Sequence, residues 1–238
     1  MAKAGLSRHY GVNFLLNSLP ENEYQDLVRL LERVQVETGQ AIYQQGAAMD
    51  YLYFPTTAIL SWMGATRHGE RSEVGVVGWE GMLGIPHLLG YEASPFDAEV
   101  AIAGEVLRVE SNRIRPNFER LTSLQRLLFR YTYAALTQIA QSSVCGLYHT
   151  VEQRLSRWLL AAHDRSRGNE LVLTQETLAG LIGARRPTVS LASGVLQSAG
   201  LIKVNRGRIT LLDRAGMEAK ACECYWVVRR ELGQFLEA

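Results

Sequence analysis

Arg185, Arg186, Pro187, Thr188 and Ser190 stand at the start of a segment whose apolar residues recur at helical spacing. An arginine can donate two hydrogen bonds to O6 and N7 of guanine, and threonine and serine hydroxyls suit phosphate oxygens. A guanidinium so placed is worth ~1–3 kcal/mol of discrimination between bases. Upstream, Thr174 can cap a helix running to Ile182, with Leu178, Leu181 and Ile182 as its buried stripe. Gly183 can take a positive φ and stop it. Pro187 then suits the first turn of a second helix, where its missing N–H costs nothing. That helix runs to about Ala199 with Gly200 beyond it, and Val189, Ala192, Val195 and Leu196 form the expected inner stripe. Ala179 is small where the two helices cross. Two helices joined by a short glycine-bearing turn make a helix-turn-helix. Leu201–Val204 and Ile209–Leu212 then read as two strands around Asn205-Arg-Gly-Arg208, a hairpin with Arg206 and Arg208 at its tip. Helix-turn-helix plus basic hairpin is a winged helix. The set expected to touch double-stranded DNA is Thr174, Gln175, Arg185, Arg186, Pro187, Thr188, Ser190, Lys203, Arg206 and Arg208.

The charge distribution is compatible with this. The 238-residue chain has a net charge of +1, yet from Thr150 to Gly216 ten Arg or Lys face five Asp or Glu. That surplus of five leaves the remainder at −4, a split that fits one part of the molecule meeting a polyanion and equally a well-solvated surface.

The elements that must carry this segment differ in texture. Ser18-Leu-Pro20 opens a short helix expected over Leu19–Leu31. Short apolar runs follow at 41–43, 51–54, 59–63, 74–77, 100–102 and 106–109, punctuated by glycine or proline, and predict a β barrel, roll or sandwich. Trp62, Trp79, Tyr51, Tyr53 and Phe54 are expected to fill its core. Gly75, Gly78, Gly81 and Gly84 recur every three residues without a following helix, and read as turn glycines rather than a dinucleotide fingerprint. After Pro116 a long helix is expected over Thr122–Leu147. Leu121, Leu124, Leu128, Tyr131, Ala135, Gln138, Ser142 and Cys145 follow a 3,4 spacing, a heptad seam assigned to dimerisation. Leu127, Phe129, Tyr133, Leu136 and Ile139 lie off that seam, so the helix carries apolar residues on a further face; a buried helix of a monomeric core is the alternative. Thr150-Val-Glu-Gln153 fits a capping box. The division expected is 1–115 for the β roll, 116–149 for the dimerisation helix and hinge, and 150–238 for the winged helix.

Hydrophobic residues at 47% and charged residues at 21% exclude global disorder. There is no run long enough for a membrane span. The first residues offer only Phe14-Leu-Leu16 as an apolar block, too short for a signal peptide, so a cytoplasmic location is expected. No H-E-x-x-H, G-x-S-x-G or P-loop pattern is present, and no catalytic residues are assigned. Cys145, Cys222 and Cys224 build no disulfide framework. Cys222 and Cys224, two apart on a predicted C-terminal helix, should point to nearly opposite sides and make a poor metal pair. Cys145 reads as a small buried residue, and His68 and His87 as ordinary polar positions. No metal site is therefore expected.

The chain resembles the Crp–Fnr family of bacterial transcription regulators over nearly its whole length. The most specific match is Leu173–Leu191 followed by Ala199-Gly-Leu-Ile202, and Gly78-Trp-Glu-Gly-Met-Leu-Gly84 is similar to the family's β-roll glycine turn. The resemblance implies an α+β chain with a β-roll (jelly-roll-like) sensor, a long dimerisation helix and a C-terminal winged helix. It implies a homodimer on a roughly two-fold symmetric promoter site, with Arg186 reading a base, Thr188 holding phosphate, and RNA polymerase as a partner if the protein activates. Pro187 stands where an acidic base reader is common, and Leu191 where a second arginine is common. Family members that bind cyclic nucleotides hold the phosphate with a Gly-Glu turn and an arginine. Here Ser72–Leu107 has neither Lys nor Arg, Ile85 follows Gly84, and the base-contacting helix positions read Gln138 and Ile139. A buried phosphate without a cation is costly. The expectation is either an unidentified effector other than a cyclic nucleotide or a roll that has lost ligand control, and no cofactor; the competing function is a winged helix used for protein contacts alone.

Overall fold

The computed structural model describes residues 11–118 and 120–237, the side chains of 115–117 apart; the apolar block at Phe14–Leu16 falls inside this range, and residues 1–10 outside it. Helix α1 (Phe14–Asn17), closed by Ser18, precedes the helix expected over Leu19–Leu31, which forms as the shorter α2 (Glu21–Val28) with Pro20 as its N-cap and Arg29 as its C-cap. Strands β1 (Glu32–Val36), β2 (Ala41–Tyr43), β3 (Tyr51–Pro55), β4 (Ile59–Ala65) and β5 (Arg71–Val77) come next, then α3 (Ile85–Leu88), β6 (Asp97–Ile102) and β7 (Gly104–Glu110). They form two antiparallel sheets, ordered β1-β7-β3 and β2-β6-β4-β5. All six apolar runs are strands. The strand that sequence reading missed is β1, whose Glu-Arg-Val-Gln-Val carries little apolar signal. Its charges are answered across the pair, Glu32 by Arg108 at 3.0 Å and Arg33 by Glu105 at 2.5 Å. Phe54, Trp62 and Trp79 are buried in the roll, while Tyr51 and Tyr53 are half-buried at its side. The glycine turn between β5 and α3 lies against the long helix. A Cβ on Gly81 would sit 2.1 Å from Tyr131, so only glycine lets the two approach.

Helix α4 (Ser111–Phe118) leads to the long helix α5 (Thr122–Tyr148). Here the structure corrects the expected dimer seam. Leu121, Leu124, Leu128, Tyr131, Ala135, Gln138 and Cys145 are buried within a single chain, and Ser142 is partly buried. The seam covers the roll: the Gln138 amide donates to the Val76 carbonyl at 2.9 Å, and Tyr131 packs on Phe235 at 5.7 Å. An apolar stripe left facing solvent belongs to the other face. Phe129, Tyr133, Leu136, Ala140, Ser143 and Leu147 are all exposed and are spaced 4,3,4,3,4. Helix periodicity detects both stripes; burial against the roll decides which is internal.

Thr150 caps helix α6 (Val151–Arg165), and the capping box with Gln153 is formed. Strand β8 (Glu170–Val172), helices α7 (Gln175–Ile182) and α8 (Arg186–Ser198), strands β9 (Ile202–Asn205) and β10 (Arg208–Leu211), and helix α9 (Arg214–Lys220) complete the winged helix. Its three-stranded sheet is ordered β8-β10-β9. This unit shares a core with the roll. Ile59, Met63, Val76 and Ala101 pack with Leu155, Trp158, Leu159, Leu178 and Ile182 in one buried cluster. Two polar contacts fix the docking. The Arg165 guanidinium meets the Glu80 carboxylate at 2.7 Å, with both side chains about 95% buried. The Glu73 carboxylate accepts from Trp158 Nε1 at 3.0 Å and from the Ser61 hydroxyl at 2.5 Å, while burial pushes its pKa up. The last helix, α10 (Glu223–Leu236), departs from the 150–238 unit and runs back along α5. Phe235 stacks edge-on against Phe14 at 5.1 Å, and Leu232 and Leu236 join the roll's core.

Removing one partner of a buried ion pair strands the other charge, at ~3–5 kcal/mol. Arg165→Met is therefore expected to lose about that much in chemical denaturation, and the double variant Arg165→Met, Glu80→Gln to recover most of it. Equal stabilities for the single variant and the wild-type chain would remove the pair from the docking.

Candidate nucleic-acid interface

The helix-turn-helix is held by contacts between its own helices. Thr174 accepts from the Thr177 N–H at 3.1 Å and caps α7. Gln175 bonds Ser193 at 3.2 Å and Ser190 at 3.4 Å, tying α7 to α8. Gly183 ends α7 at φ 61, a left-handed conformation that redirects the chain into Arg185, the N-cap of α8. Val189, Ala192, Ser193 and Leu196 form the buried stripe of α8. Val195, expected inside, is half exposed, because Ser193 takes the inner position one turn before Leu196. Arg185, Arg186, Pro187, Thr188, Ser190 and Leu191 all face solvent. The front of α8 thus presents two guanidinium groups and two hydroxyls on one surface, together with an apolar Leu191. Arg186 lies 3.7 Å from Glu176 of α7, an exposed pair worth at most ~1 kcal/mol, so little holds it from a better partner.

The wing is a two-residue hairpin. Asn205 pairs with Arg208, leaving Arg206 and Gly207 at the turn with φ 43 and 78, the positive angles of a type I′ turn. Arg206 occupies a backbone region that asparagine or glycine fills at lower cost. Arg208 pairs with Glu170 of β8. Lys203 is exposed on β9, and the side-chain carbonyl of Gln197 on α8 accepts from the Val204 N–H at 2.8 Å, linking wing to helix. Strand β8 went unread in the sequence, since its three residues follow a polar loop and pair only with the distant β10. Within the predicted DNA set, Gln175 and Ser190 make helix-to-helix bonds, Thr174 caps α7, and Arg186 and Arg208 make exposed ion pairs; all of the set except the half-buried Gln175 are exposed.

A cavity lies between the roll and α5. About 160 Å³ is lined by residues that include Tyr43, Trp62, Phe96, Ala135, Leu136 and Ile139, and among the described residues the lining holds no Lys, Arg or carboxylate. Ile139 lines it as expected, whereas Gln138 turns to Val76.

Residues 33–120 match the model of the cyclic nucleotide-binding domain, and residues 153–220 that of the Crp-like helix-turn-helix domain. The chain belongs to the Crp–Fnr family. Members of the Crp–Fnr family are transcription regulators with a DNA-binding helix-turn-helix, which is the functional class of this chain. The transcriptional regulatory protein btr of Bordetella pertussis is 27% identical over 214 residues, covering 84% of this chain and 86% of that protein. FixK2 from Bradyrhizobium japonicum has a similar structure, with a TM-score of 0.68 at 17% identity over 81% of this chain and 98% of that one. A CRP/FNR-family transcriptional regulator from Thermus thermophilus matches with a TM-score of 0.62 at 22% identity, over 80% of this chain and 98% of that one. These likenesses show a Crp–Fnr fold of β-sheet domain, long helix and helix-turn-helix. Among the described residues no helix is long and apolar enough to cross a membrane.

Two substitutions separate base reading from backbone contact. Arg186→Ala is expected to cost ~1–3 kcal/mol on the preferred site and little on random DNA. Arg206→Asn should preserve folding, since asparagine tolerates the left-handed region, and lower the salt slope of binding by about one. Fluorescence anisotropy across a salt series measures both, and identical losses on specific and random DNA for Arg186→Ala would refute its role as a base reader.

Proposed function

We propose that the chain regulates transcription as a homodimer, placing one copy of α8 in each half of a two-fold symmetric DNA site. The observation that carries this reading is the cationic, hydroxyl-bearing surface of Arg185, Arg186 and Thr188 at the front of α8, flanked by Lys203 and Arg206 of the wing. The unpartnered heptad stripe on α5 supports the dimer. Two copies joined through Phe129, Tyr133, Leu136, Ala140, Ser143 and Leu147 would bury six positions that a lone chain leaves in water. Symmetry then makes the interface self-complementary, and a two-fold protein reads a two-fold site.

The sensor cavity supports an uncharged, largely apolar effector. A cyclic nucleotide would bring a phosphate into a lining that, among the described residues, offers no cation, which leaves the anion desolvated and unpaired. RNA polymerase is the further partner if the bound dimer activates.

Selection of bound fragments from random DNA is expected to return an inverted repeat, and sedimentation to show a dimer. Tyr133→Glu places a charge in each copy at the centre of the stripe and is expected to yield monomers and half-site binding only. A monomeric wild-type chain, or a selected motif without symmetry, would overturn the dimer reading. By calorimetry, micromolar binding of cyclic AMP or cyclic GMP would overturn the effector reading.

A further inference from the structure

Three thiols and an imidazole meet where the long helix ends. Cys145, His149, Cys222 and Cys224 place their ligand atoms all within 4.8 Å of one another, with the three cysteines buried and His149 partly so. Cys145 Sγ is 3.5 Å from Cys222 Sγ, and Cys224 Sγ is 3.4 Å from His149 Nδ1. Sequence reading separated Cys222 from Cys224 by treating both as helical. Cys222 is instead the N-cap of α10, with extended backbone at φ −73 and ψ 164, and both thiols turn to the same side.

We propose that Cys145, His149, Cys222 and Cys224 form a tetrahedral zinc site that closes the hinge of the winged helix. The donor set is the Cys3His type of structural zinc centres, in which bonds of ~2.3 Å to sulfur put neighbouring ligand atoms under about 4 Å apart, close to the spacings found here. The surroundings are those of a metal centre. His149 offers Nδ1 to the cluster and turns Nε2 to the Glu223 carboxylate at 3.2 Å, the outer hydrogen bond that fixes the tautomer of a ligating histidine. The Gln141 amide donates to Cys224 Sγ at 3.1 Å. Three thiolates, one neutral imidazole and Zn²⁺ total −1, a charge that the field of Arg157 at Cys145 offsets. On binding, the three thiol protons pass to solvent.

The placement gives the site a consequence. The chain enters the winged helix at His149–Thr150 and leaves it at Ala221–Cys222, so both connections pass through the cluster. One ion would pin both, and with them the angle at which α8 is presented; this consequence rests on the DNA-binding reading, whereas the site itself does not.

Reduced full-length protein, purified without chelator, should carry one zinc per chain by elemental analysis. Co²⁺ added to the stripped chain should give the visible bands of tetrahedral cobalt with thiolate charge transfer. Glu223→Gln, at an exposed position, is expected to weaken zinc binding about 10–100-fold without unfolding the chain. Cys222→Ser should abolish the cobalt spectrum; should that variant fail to fold, the titration of the wild-type chain still decides. Absence of both stoichiometric zinc and the cobalt spectrum overturns the site, as does a freshly purified chain two hydrogens light with Cys145 bridged to Cys222. Zinc bound, with DNA affinity lowered at least tenfold on stripping, supports the hinge role. Zinc bound with DNA affinity unchanged on stripping keeps the site and overturns its hinge role. Zinc bound in a chain that binds no DNA at all counts against the DNA reading alone.

Discussion

The arrangement of this molecule depends on how the winged helix is docked onto the β roll. A shared apolar core supplies the area, and the buried Arg165–Glu80 pair with the Trp158–Glu73 hydrogen bond supplies the register. Apolar surfaces slide at small cost; a buried charge released from its partner does not. The helix-turn-helix is therefore not a loose appendage. Its turn lies against β5, where a Cβ on Gly183 would come within 2.6 Å of Ser72 Oγ, so only glycine allows this close approach.

The long helix faces two ways at once. Its inner stripe closes the roll through Tyr131 and Gln138, and its outer stripe of Phe129, Tyr133 and Leu136 remains available to a second copy. The cavity beside the roll lies between them, lined by Ala135, Leu136 and Ile139 of the same helix. A ligand there would touch the helix that joins the proposed dimer and ends at the hinge. The cysteine–histidine cluster stands at that end, so roll, helix and winged helix meet within one continuous packed structure.

Much of the nucleic-acid surface was legible because it is local. A cap at Thr174, a left-handed glycine at 183, a proline in the first turn of α8 and a two-residue hairpin at 206–207 are set by neighbours a few residues apart. The positions of Arg185, Arg186 and Arg206 follow from those short-range rules. Strands β1 and β8 were not legible, because their residues carry weak apolar signals and exist as strands only through pairing with β7 and β10.

The amino-acid order by itself determined the succession of roll, long helix and winged helix, and the outward cationic front of α8, since periodicity, caps and turn chemistry are properties of contiguous residues. Tertiary structure alone decided which stripe of the long helix is buried, since two apolar faces are equivalent until one meets the roll. It alone brought Cys145 and His149 beside Cys222 and Cys224, more than seventy residues away, because a return of the last helix along α5 is written in packing and not in spacing. The same packing placed Arg165 against Glu80, a pairing of opposite charges that no local pattern specifies.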